Sequence, residues 1–113
     1  MSAHVIISVA LGTGLRLGEI VGLNVGDVYF DDGTPCTRVR LRPEITRGGR
    51  AGDVFLPDAL LDKLARFWVY KQVRRERLDP SAPLFCNQGR RRISSRRVQV
   101  LFRAWQVVAH LTV

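Results

Sequence analysis

In CTRVRLR (36–42), residues 38–42 alternate polar and apolar, and that alternation constrains the fold more than any other stretch. A period of two puts Val39 and Leu41 on one face and Arg38, Arg40 and Arg42 on the other, as in a strand with one buried side. TRGGRAG (46–52) reads as a hairpin connection and DVFLP (53–57) as the returning strand. A sheet with one apolar face needs another layer to cover it. The remaining sequence supplies helices for that layer.

Pro57 opens the longest of them, at a position where proline is tolerated. Residues 58–78 carry Leu60, Leu61, Leu64, Phe67, Trp68 and Val73 at helical spacing. Asp58 and Asp62 lie in the first turns and Arg74, Arg75 and Arg77 in the last, an order that complements the helix dipole. DPSAP (79–83) ends this helix, and LFCN (84–87) is a short extended piece. A basic turn, QGRRRISS, follows, and Ser94 or Ser95 can cap a last helix over 95–110. There Val98, Leu101, Phe102, Trp105 and Val108 recur at steps of three and four, opposite Gln99, Arg103, Gln106 and His110. Trp68 and Trp105 are expected in the core. Upstream, residues 3–11 are a continuous apolar run that fits either a buried strand or a short helix, and 15–23 group their apolar residues on one helical side. The expected fold is one α+β domain over 1–113, with helices packed on a small antiparallel sheet.

Charge narrows the function. Among the 113 residues, 18 are Lys or Arg and 10 are Asp or Glu, a formal charge of +8. Residues 1–35 hold one basic residue, Arg16, against Glu19, Asp27, Asp31 and Asp32, so the positive excess lies downstream. All the basic residues except Lys63 and Lys71 are arginines, which suit planar, multi-donor phosphate recognition. A pI near 11.0 with clustered arginines is the footprint of a nucleic-acid binder, against the plainer reading of a solvated basic surface. Cys36 and Cys86 are too few for a disulfide framework and lack metal-site spacing, so free cytosolic thiols are expected. No run is apolar enough to span a bilayer, and no signal peptide is legible at the start. A cytoplasmic protein without a membrane association is expected.

The glycine-punctuated LGTGLRLGEIVGLN (11–24) could serve as a dinucleotide loop. Its spacing is G-x-G-x-x-x-G, one residue longer than the fingerprint, and a hairpin rather than a second βαβ unit follows it. Thr13–Phe30, TGLRLGEIVGLNVGDVYF, instead resembles the first signature of the tyrosine recombinases, or phage integrase family. There a T-G-L-R segment precedes an acidic residue, an apolar helix and a W/N-x-D-[IV] segment. The strand–TRGGRAG–strand unit resembles the family's hairpin. The long helix, the LF piece, the GRRRISS turn and the last helix follow in the family's order.

That resemblance implies roles position by position. Arg16 matches the first catalytic arginine, the ligand of the scissile phosphate; a guanidinium can hold two phosphate oxygens and stabilise growing negative charge. Glu19 matches the acidic residue that holds the neighbouring structure, and it can orient Arg16. Without the resemblance, the two would be read as an i,i+3 pair. Arg47 stands where the family has a lysine that acts as general acid, a step arginine serves poorly because it does not give up a proton. DNA-backbone contacts are expected from Arg16, Arg47, Arg50, Arg90, Arg91, Arg92, Arg96 and Arg97, the last five flanking a helix N-terminus. No H-x-x-R occurs, and no tyrosine follows Tyr70. The expectation is therefore a truncated catalytic domain that binds DNA without cutting or joining it, with no metal or organic cofactor. Val100, Ala104 and Val107 widen the apolar band of the last helix, which implies a homodimer, with exchange of a terminal helix as one route. Association with a full recombinase is the alternative role.

Overall fold

A computed structural model describes residues 2–46 and 52–111. Residues 47–51, with Arg47 and Arg50, for which a hairpin connection is expected from sequence, lie outside the described residues. Helix α1 is Ser2–Thr13, α2 Leu17–Gly22 and α3 Val25–Val28; strand β1 is Arg38–Leu41 and β2 Gly52–Phe55; helix α4 is Asp58–Val73 and α5 Ser95–Leu111. A 3₁₀ turn occupies Pro43–Ile45. The architecture is α+β, with helices packed on a two-stranded antiparallel sheet. Of the two readings open for residues 3–11, helix is the one adopted. Its buried face is Val5, Ile6 and Val9, directed at α4, α2 and α5.

The sheet follows the alternation in its sequence. Arg38 pairs with Phe55, Val39 with Val54, Arg40 with Asp53 and Leu41 with Gly52. Val39 and Leu41 are buried, while Arg38 and Arg40 stay exposed and flank Asp53, each at 3.6 Å. Arg42 departs from its expected outward place. It is partly buried, because its guanidinium turns inward to Asp27.

Helix α4 buries Leu60, Leu64, Phe67 and Lys71, one residue per turn on one stripe. Lys71 is fully buried yet satisfied: its Nζ donates to Glu76 Oε1 at 2.7 Å and to the carbonyls of Leu84 at 2.7 Å and Pro83 at 3.2 Å. This bond set ends α4 at Val73 rather than at the expected residue 78. Arg75 adopts φ 60, Glu76 folds back onto Lys71, and the Glu76 N–H donates to the Lys71 carbonyl at 3.0 Å. Val73, expected in the apolar stripe, is 76% exposed as a result.

The Asp31–Pro35 turn locks α4 from the other side. Gly33 is buried at φ 89, and a side chain there would meet the Trp68 indole at 2.5 Å. Trp68 packs at 4.9 Å on Tyr29, whose hydroxyl donates to the Leu64 carbonyl at 2.7 Å. Helix α5 is anchored by Val98, which is fully buried, with Leu101 and Phe102 half-buried beside it. Beyond that point the helix leaves the core. Trp105, expected inside, is 38% exposed because no packed element covers its turn among the described residues. Cys36 and Cys86 are unpaired and half-buried, and burial pushes both thiols up from their ordinary value. Among the described residues, no helix is long and apolar enough to cross a membrane.

Candidate nucleic-acid interface

Arg16 sits between two helices because of a turn that its neighbours enforce. Thr13 Oγ1 donates to the Val9 carbonyl at 2.5 Å and accepts the Leu15 N–H at 3.2 Å, which ends α1. Gly14 follows at φ 68, a region where glycine carries no Cβ penalty. The chain thereby reverses and Arg16 becomes the N-cap of α2 in extended conformation. Glu19, only 4% exposed, accepts the Arg16 backbone N–H at 2.8 Å through Oε1. The glutamate is thus used on the backbone. The Arg16 guanidinium is exposed and has no hydrogen bond or ion pair among the described residues. The simple i,i+3 ion pair is not formed.

A second basic cluster precedes α5. The Asn87 N–H donates to the Arg91 carbonyl at 2.7 Å, and the Asn87 side chain accepts the Arg91 N–H at 3.1 Å. A bridge joins Cys86 to Arg92, and Ile93 N–H reaches the Phe85 carbonyl at 3.0 Å. The resulting tight loop holds Arg90 at φ 62. Ser94 caps the helix by accepting the Arg97 N–H at 3.1 Å. Arg90, Arg91, Arg96 and Arg97 are exposed, and their guanidinium groups lack partners among the described residues.

Arg92 behaves differently from its neighbours. Its Nη1 donates to the carbonyls of Val21 at 2.9 Å and Leu23 at 3.0 Å, and its Nη2 to Asn24 Oδ1. Burial first, and the nearby Arg42 charge second, push this guanidinium down from its ordinary value. Arg42 goes the other way, raised above all by its bond to Asp27. Its Nε lies 2.9 Å from Asp27 Oδ1, its Nη2 2.7 Å from the Gly22 carbonyl and its Nη1 3.0 Å from Glu44. Sequence reading missed Arg42 as an internal strut. The partner is fifteen positions away, and nothing local in CTRVRLR marks its last arginine as different.

An open cleft of about 840 Å³ lies between the start of α1, the end of α4 and the start of α5. Arg74, Arg92 and Arg97 line it, and among the described residues no acidic one does. Arg74 was not nominated from sequence. It lies 5.8 Å from the Tyr70 ring centre and bonds Glu76 at 3.0 Å. The structure therefore brings Arg92 and Arg97 to one cleft, with Arg16 held separately at the front of α2. The whole arrangement offers charge and hydrogen-bond donors to a polyanion at several points.

The family model described as the phage integrase family matches residues 1–112. No curated protein and no solved structure matches the chain.

Proposed function

This chain belongs to the phage integrase family, and from that premise we propose that its 113 residues bind DNA through backbone phosphates without by themselves cutting or joining strands. The observation that carries the reading is the Arg16 guanidinium, exposed and without a partner among the described residues while its own backbone is fixed by a buried Glu19. A charged donor held on a rigid support and left unpaired is suited to an external anion. Arg90, Arg91, Arg96 and Arg97 add positive charge at the start of α5, where free backbone N–H groups also favour phosphate. Arg92 contributes charge but spends its hydrogen bonds internally. Arg47 and Arg50 belong to the same proposal, as further phosphate contacts from the hairpin tip.

Strand cleavage needs a nucleophile, a charge-stabilising pair and a proton donor in one geometry. These residues contain no H-x-x-R, and Tyr29 is buried with its hydroxyl donated to a carbonyl. Incubation with a nicked suicide substrate tests this. The expected outcome is a salt-sensitive, non-covalent complex; a covalent protein–DNA adduct overturns the reading.

A second reading rests on α5. Val100, Trp105, Val107 and Val108 are exposed along one helix, an apolar strip of the kind that monomers seldom leave open. We propose that this strip mediates self-association, including exchange of the terminal helix between two copies, or contact with a complete recombinase. Sedimentation at tens of micromolar, a rough working concentration, decides the first: a stable monomer there removes it.

A further inference from the structure

Two arginines distant in sequence converge on the C-terminal end of α2. Arg92, from the turn before α5, donates to the carbonyls of Val21 and Leu23 and to the Asn24 side chain. Arg42, from the end of β1, donates to the Gly22 carbonyl that lies between them and to Asp27. Asp27 Oδ2 in turn accepts the Asn24 N–H at 2.8 Å. The last carbonyls of a helix have no partner within it, and cations are favoured there. A helix of six residues is also too short to hold its shape alone. Beside the packing of the buried Ile20, these two guanidinium groups hold α2 at one end and the buried Glu19 at the other. Arg16 caps that second end, about 9 Å away along the axis at 1.5 Å per residue.

We propose that Arg92 is a positioning residue for the Arg16 phosphate ligand: its planar fork across Val21, Leu23 and Asn24 fastens the helix that carries Arg16 to the turn that carries Arg90 and Arg91. The proposal rests on phosphate binding at Arg16. It explains why one arginine of the GRRRIS run is bonded to the end of α2 while its two predecessors have no partner among the described residues. A lysine at 92 keeps the charge but is a compact ammonium without the planar fork, so geometry and charge can be separated.

The experiment measures the affinity of the full chain for a labelled duplex by fluorescence anisotropy, at several salt concentrations. The variants are R16A, R92K, R92Q and R16A/R92K. R92K is expected to bind about tenfold more weakly than the parent, because a displaced ligand costs affinity even when charge is kept. R16A/R92K is expected to bind no more weakly than R16A alone. Parent-like binding by R92K, or additive losses in the double variant, overturns the proposal and makes Arg92 a simple charge or a bystander. Should R16A itself bind like the parent, the phosphate reading fails. Positioning is then decided by hydrogen exchange at the Arg16 amide: lost protection in R92K upholds it, and unchanged protection overturns it. If R92K does not fold, Asn24→Ala removes one acceptor, leaves the arginine in place and is expected to give a smaller loss of the same kind.

Discussion

At the scale of single residues, composition cannot tell apart two kinds of arginine found beside the surface ion pairs of Arg38, Arg40, Arg66 and Arg77. Arg42, Arg74 and Arg92 are built into the fold, whereas Arg16, Arg90, Arg91, Arg96 and Arg97 are left unpaired among the described residues. The fully buried Lys71 belongs with the first group, and replacing it tests how much such a group carries. Lys71→Ala leaves Glu76 with Arg74 as its one remaining charged partner, and is expected to destabilise the protein by about 3–5 kcal/mol in urea unfolding. Burial alone would raise the Glu76 carboxyl, but the bonds from Lys71 and Arg74 outweigh it and hold the group below its ordinary range. A depressed folded value means stability present at neutral pH and lost as pH falls, starting near the unfolded value of about 4.3. Glu76→Gln is therefore expected to flatten the acid limb of the stability profile below that pH. Gly33→Ala tests a steric constraint instead. The φ of 89 and the indole at 2.5 Å leave no room for a methyl group, so a loss of roughly 2–4 kcal/mol is expected.

At the scale of elements, α2 and α5 show how little a helix owes to its own propensity. Helix α2 is held by core packing of Ile20 and by Glu19, Arg42 and Arg92, which satisfy its ends. Glu19→Ala removes the acceptor of the Arg16 N–H, which is expected to cost about 1–3 kcal/mol. DNA affinity is expected to fall with it, toward that of R16A, as read by anisotropy. Helix α5 carries a regular apolar pattern along its length, yet among its described residues Val98, Leu101 and Phe102 are the apolar ones that meet the core. Phe67→Ala, in the centre of α4, is expected to cost about 3–5 kcal/mol. Trp105→Ala is expected to cost under about 1 kcal/mol while weakening any self-association, since its ring is partly in solvent. Calorimetry on both variants, paired with sedimentation on the second, separates packing from assembly.

For the whole molecule, the positive excess lies downstream of residue 35, since Arg16 is the one basic residue before it. Phosphate binding by such a chain is expected to weaken linearly in log salt, with a slope near −0.9 for each phosphate engaged. Arg16→Ala is expected to reduce the magnitude of that slope by about one. An unchanged slope would assign Arg16 to solvent.

The sequence by itself determined the element order from the hairpin onward, the outward faces of Arg38 and Arg40, and Arg16 and Glu19 as a marked pair. These are local properties: a period of two, a period of about 3.6, and a Thr-Gly turn that reverses the chain. It did not determine where α4 stops, which arginines face inward or how far along α5 the core extends. The long helix pattern continues to residue 78, but the buried Lys71–Glu76 bond draws the chain out of it after Val73. CTRVRLR gives Arg42 the same outward parity as Arg38 and Arg40, but Asp27 lies within bonding distance only once α3 packs on the strand. Burying a carboxylate or a carbonyl end without a partner is costly, so tertiary packing, not periodicity, chose which cations became struts and which stayed exposed.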